Sequence, residues 1–173
     1  QAFKMARKSV DCRLLLVGDK AADDPESDRV VEEVRREAGG HPDIHILLFS
    51  PSIATEINAF QRGSDVILQK SIREGFALTV SEALWKRRPV IGGAVGGIPS
   101  QIIDGHTGVL VHSPEGASVA IRSLLQRPEY ARRLGENGHQ RVKDEFLIVK
   151  NLKRYILLLL AMDHPGDQTI HLR

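Results

Sequence analysis

One cysteine stands in 173 residues, so no disulfide can form within the chain. A chain of this length can bury a real core and needs no such staple. Cys12 opens an apolar run and is expected to be a buried thiol. A lone cysteine fits a reducing compartment, and a cytoplasmic location is expected. Aromatics are scarce, with five Phe, two Tyr and one Trp, which leaves no base-stacking surface. Neither sign of charge dominates: 24 basic against 22 acidic residues give a formal +2, without a long basic run. That weighs against a nucleic-acid partner. The longest apolar stretch, YILLLLAM (155–162), is far shorter than the ~20 residues a membrane span requires. The opening QAFKMARKSV shows no secretory leader. It lacks an initiator Met and starts inside an apparent helix, so a fragment of a larger polypeptide is expected. The seven histidines are scattered, His106 and His112 near turns, and no Cys/His cluster has ligand spacing. A metal is therefore not expected. Absent too is G-x-G-x-x-G: the first apolar run ends in VGDKAADD, without the dinucleotide fingerprint.

What is present is an alternation. Short apolar runs at 12–18, 43–49, 65–69, 89–93 and 107–111 read as strands. The first, CRLLLVG, reads as a buried strand of a parallel sheet. Between them, 26–40 carries charge on a helical period and ends in Gly-Gly. Ile53, Ile57 and Phe60 mark a helix over 51–63 by their spacing. LTVSEALWKR reads as a helix and GIPSQIID as a short one with Pro99 in its first turn. From Ser113, a good helix cap before Pro114, three helices are expected over 115–126, 128–144 and 148–162. Leu157 to Leu160 are expected to be core. Residues 163–173 read as a loose tail, and 1–162 as one domain.

Strands alternating with helices predict an α/β, Rossmann-like, doubly wound parallel sheet with a helical C-terminal segment. Such sheets bind ligands at the carboxyl ends of their strands. The loops after the third and fourth strands, 70–78 and 92–98, should then carry function. The first runs KSIREGFAL into a helix. Free amide N–H groups at a helix start, with the helix dipole, favour an anion. Gly75 allows close approach, and Lys70 and Arg73 add positive charge. A tight strand-to-helix turn with two solvated bases explains the same residues. The second loop, GGAVGGIPS, has four glycines in six residues. Packing does not readily explain them; a loop wrapped around a ligand or an adjacent domain would, and a flexible turn explains them equally well.

Glu74 and Glu82 flank the first loop. Thr79 and Glu82 have capping-box spacing, T-x-x-E, which needs no ligand. The alternative is that two acids beside an anion site grip hydroxyls at either end of it. A charge-assisted hydrogen bond of that kind contributes roughly 1.5–3 kcal/mol. A nucleotide sugar presents sugar hydroxyls, a diphosphate and ribose hydroxyls in that order.

EGFALTVSE resembles the E-x7-E motif of retaining nucleotide-sugar glycosyltransferases of the two-domain GT-B architecture. ALWKRRPVIGGAVGGIPSQIIDGHTGVLV resembles the continuation of that region, with its D-G-x-x-G turn at Asp104, Gly105 and Gly108. The likeness runs from the first strand to about residue 160. Within the group, DVILQKSIREGF and SEALWK, with DDPES and EINAFQRGSDV upstream, look most similar to trehalose synthases. Retaining trehalose phosphorylases look similar too. A non-catalytic sugar-nucleotide-binding domain is a third reading.

The resemblance implies a C-terminal, donor-binding half that transfers glucose from a nucleotide-diphosphate glucose to a sugar, with retention. It makes Glu74 the catalytic-site acid on the donor sugar hydroxyls and Glu82 the grip on the ribose. Backbone amides of Gly75, Phe76, Ala77, Leu78 and Thr79 would contact the diphosphate or sugar. Lys70 and Arg73 would stand nearby, and Gly96 and Gly97 would line the cleft. Base contacts would come from Leu48 to Ser50. No cofactor is implied, the nucleotide sugar being a substrate. The acceptor would bind a missing N-terminal domain. The family's basic pair for the diphosphate would also precede Gln1. The fragment is therefore expected to be inactive alone. Two positions depart from the family's pattern. Ala77 replaces a usual Gly, which would either tighten the loop or require a negative φ there, and Ser100 replaces a frequent Glu, which would alter the cleft rim. The terminal helix would cross to the other domain, and in a lone domain its leucines could drive homodimerisation or aggregation.

Overall fold

The computed structural model describes residues 1–19, 25–49 and 54–163. Its elements are α1 (Ala2–Arg7), β1 (Leu14–Asp19), α2 (Pro25–Ala38), β2 (Ile44–Phe49), α3 (Ala54–Gly63) and β3 (Ile67–Gln69). They continue as α4 (Leu78–Trp85), β4 (Val90–Gly93), α5 (Ile98–Gln101), β5 (Val109–Val111), α6 (Pro114–Gln126), α7 (Pro128–Glu145) and α8 (Ile148–Asp163). All five expected strands form, and every pairing is parallel. The expected start of the third helix at 51–53 lies outside the described residues. Of the expected tail, Asp163 ends α8, and the rest lies outside them as well.

The strands make two sheets rather than one. β1 pairs with β2, and β4 lies between β3 and β5. Among the described residues, β1 and β3 each keep one unpaired edge. The three-stranded sheet is covered on both faces, and the pleat sorts its side chains. Ile91 and Val111 join Ala117, Ile121 and Leu124 of α6, Leu134 of α7 and Ala6 of α1. Val90 faces the other way and joins Val80 and Leu84 of α4, Ile98 of α5 and Ile102 at its end, and Val142 of α7. The doubly wound expectation therefore holds around β4, which is buried along its length.

Three expectations of burial fail. Leu15 in β1 is 40% exposed, and no residue from Leu14 to Gly18 is buried. The apolar composition of β1 suits a sheet interior, but only β2 pairs with it among the described residues. Cys12 is half-buried, though enough is covered to push its thiol pKa up. α8 buries none of its residues. Its start is tied down, Lys150 and Arg154 binding Glu145 at 2.6 and 2.9 Å. Further along, Leu158 and Leu159 face outward, since no second layer of the described residues covers them.

α1 joins the two sheets. Its Phe3 and Ala6 are buried, while Arg7 Nε donates to Asp43 Oδ2 at 2.9 Å, just before β2. The Arg7 hydrogen bond holds the Asp43 carboxyl below the usual carboxylate range. α6 begins as its sequence predicts, the Ser113 hydroxyl accepting from the Gly116 amide at 3.1 Å. The D-G-x-x-G turn closes on itself: Asp104 Oδ1 accepts from the Leu110 amide at 2.8 Å, and the Gly105 amide donates to the Gly108 carbonyl at 2.9 Å.

Candidate functional site

β3 and β4 are neighbours, so the loops that leave their carboxyl ends lie side by side. They pack backbone on backbone. The Gly97 amide donates to the Glu74 carbonyl at 3.0 Å. A Cβ on Gly96 would stand 1.7 Å from that carbonyl oxygen, and one on Gly97 would stand 1.9 Å from the Gly75 oxygen. Gly96 also has φ +54°, a conformation that glycine adopts freely. Packing thus accounts for this pair, contrary to the expectation from sequence. The glycine-rich loop is the bed on which the 70–77 loop lies.

That bed fixes Glu74 at its backbone, where Gly97 holds the carbonyl. The side chain is fixed as well. Its Oε2 accepts from Ser71 Oγ at 3.1 Å, with Gln69 Nε2 at 3.4 Å. The Gln69 amide donates to Ser71 Oγ at 2.8 Å, completing the cluster. Lys70 and Arg73 are exposed, and among the described residues neither pairs with a carboxylate.

α4 starts without a side-chain cap. Its N-cap is Ala77, with φ −77° and ψ 93°, the negative φ that an alanine in place of glycine calls for. Gln101, fully buried behind the turn, holds both backbone groups of Ala77. Oriented to satisfy its amide, it donates to the Ala77 carbonyl and accepts from the Ala77 amide, each at 3.1 Å, and donates to Ser81 Oγ at 2.7 Å. Thr79 lies inside the helix and caps nothing, so the capping-box reading fails. Glu82 Oε2 instead accepts from Gln61 Nε2 of α3 at 3.0 Å. The first-turn amides of Leu78 and Thr79 are left pointing out of the helix start, where an anion would be favoured.

The rim of the loop is open. Ile72 is 91% exposed and Leu78 66%. Phe76 is partly covered by Phe146, with ring centroids 5.8 Å apart. Arg141, above Phe146, donates to the carbonyls of Gln101 and Ser100 at 2.8 and 2.6 Å. Ser100 turns its hydroxyl to the Gly97 carbonyl at 2.7 Å. Two depressions lie elsewhere, along α7, around Tyr130 and around His106 and Asn137. Both are shallow and neither includes a residue of the two loops. Among the described residues, no three His, Cys, Asp or Glu side chains gather as a metal set. No helix among them is long and apolar enough to cross a membrane.

The expected site residues from Lys70 to Glu82, with Gly96 and Gly97, therefore fall on two adjoining loops and one helix. Leu48 and Phe49 end β2, while Ser50 lies outside the described residues. Sequence reasoning missed Gln61, Gln69, Ser71 and Gln101. Two of these carried a signal. Gln61 falls four residues after Ile57, on the apolar stripe of α3, and Gln101 falls three after Ile98. A polar residue on an apolar stripe is buried only where a partner awaits it.

The chain is also similar to known proteins. Residues 1–141 match the family profile described as Glycosyl transferases group 1. Over 157 residues the chain is 48% identical to the trehalose synthase of Thermococcus litoralis, a match that covers 90% of this chain and 38% of that protein. Over 164 residues it is 32% identical to the trehalose phosphorylase of Pleurotus pulmonarius, covering 90% of this chain and 22% of that one. Among solved structures it is similar to the sucrose-phosphate synthase of Thermosynechococcus elongatus, with TM-score 0.74 and 27% identity over 92% of this chain and 41% of that one. The chain spans less than half the length of each.

Proposed function

This chain belongs to the group 1 glycosyl transferases, and on that premise we propose that it is the donor-binding half of a retaining, trehalose-forming glycosyltransferase. The 48% identity to a trehalose synthase along 90% of the chain carries the reading. The donor is a nucleotide-diphosphate glucose, and the acceptor is a sugar, glucose in the trehalose-forming case. The 70–77 loop and the start of α4 receive the diphosphate. Glu74, steadied by Ser71, takes the donor sugar hydroxyls, and Glu82 takes the ribose.

As the bond from the anomeric carbon to the diphosphate oxygen breaks, negative charge grows on the leaving group. Outward amides at the start of α4, with Lys70 and Arg73, oppose that charge, and the reading invokes no metal ion. Exposed Ile72 and Leu78 beside the loop suit a cleft closed by a second domain, which supplies the acceptor site. The lone cysteine suits a cytoplasmic enzyme.

Calorimetry on the full-length polypeptide with UDP, ADP and GDP tests this. One of them should bind, and Glu82→Ala should weaken it by roughly 1.5 kcal/mol or more. Unchanged affinity in that variant would remove Glu82 from the site. A phosphorylase is the second reading, favoured by the 32% identity to a trehalose phosphorylase. Binding of inorganic phosphate with no nucleotide binding would select it.

A further inference from the structure

Gln61 is a polar side chain only 5% exposed, near the end of α3. Its amide is wedged between two side chains of α4 and its C-terminal edge. Nε2 donates to Glu82 Oε2 at 3.0 Å, and Oε1 accepts from Lys86 Nζ at 2.6 Å. A carboxylate only accepts and an ammonium only donates, so the amide can satisfy both in one orientation alone. Glu82 and Lys86 stand four apart with the acid first, the arrangement that favours a direct ion pair on a helix. Here the ammonium goes to Gln61 and, at 3.5 Å, to the Glu82 backbone carbonyl. Glu82 Oε1 receives no hydrogen bond among the described residues, and the side chain is exposed.

We propose that Gln61 is a positioning residue for the nucleotide, holding the Glu82 carboxylate in one orientation and keeping Lys86 off it. This rests on the reading of Glu82 as the ribose acid. A buried amide loses little further freedom when the nucleotide binds, so the acid is presented already oriented. Without Gln61, Lys86 closes onto the carboxylate, and a ribose must displace it.

The test is made on the full-length polypeptide, with UDP, ADP and GDP as probes and with steady-state kinetics. Gln61→Leu should weaken nucleotide binding about tenfold and raise KM for the donor, with kcat changed less than about twofold. Adding Lys86→Ala to Gln61→Leu should recover most of the lost affinity. A merely structural Gln61 would lower Tm and gain nothing from the second substitution. Equal affinity in Gln61→Leu and the parent, or no recovery in the double variant, overturns the proposal. Should Gln61→Leu fail to fold, Gln61→Glu serves. It still accepts from Lys86 but, ionised, cannot donate to Glu82, so its nucleotide affinity should fall about tenfold. An affinity equal to the parent's overturns the proposal. Glu82→Ala, run alongside, separates the failures. If it binds as the parent does, the ribose reading falls. If it binds weakly and Gln61→Leu does not, only the role of Gln61 falls.

Discussion

β1 and β4 are both short, apolar and parallel, yet β4 is wholly buried and Leu15 of β1 is 40% exposed. The difference lies in their neighbours. β4 has a strand on each edge and helices on both faces. β1 has one strand partner among the described residues and reaches the rest through α1. Composition therefore does not decide burial; pairing and layering do. The candidate site belongs to the better-packed region, where two loops leave adjacent strands and support one another.

Side-chain truncation should break this contrast most strongly. Leu84 is fully buried beside the three-stranded sheet, and Leu84→Ala should cost about 2–5 kcal/mol in a denaturant titration. Leu15→Ala should cost less than about 1 kcal/mol, since its side chain is partly solvated already. Equal losses would mean that β1 is covered in solution. Glycine substitution gives the next effect. Gly96→Ala forces a Cβ against the Glu74 carbonyl and should cost about 2–3 kcal/mol from overpacking and the left-handed backbone. Gly18→Ala in β1 meets only Leu48 Cδ2 at 3.9 Å and should stay within about 0.5 kcal/mol.

The smallest effect concerns the tie between the regions. Arg7 lowers the folded-state pKa of Asp43. The stability this contributes is present above the unfolded carboxylate value of about 3.9 and is lost as pH falls through the lower folded value. Asp43→Asn should therefore lower Tm slightly at neutral pH, and the gap from the parent should close in acid. A gap that widened in acid would reverse the sign of this linkage.

Much of the fold was legible because its signals are local. Apolar runs bounded by turns marked all five strands, and Ser113 before Pro114 marked the start of α6. The loop cluster was legible from strand-to-helix order and from the spacing of Glu74 and Glu82. The capping box was misleading because T-x-x-E describes a helix whose N-cap is Thr79, while the N-cap here is Ala77. The glycine pair was legible as a close approach, but not as one between two loops of the same chain. Leu157 to Leu160 suggested core, and nothing in a leucine run states what covers it.

The sequence by itself determined which segments are helix and strand, because periodicity and capping act between residues a few positions apart. Only the tertiary structure decided that the strands divide into two sheets, that Gly96 and Gly97 carry the 70–77 loop, and that Glu82 answers to Gln61. Those outcomes depend on contacts between segments far apart in the chain, and local pattern holds no record of which distant group arrives.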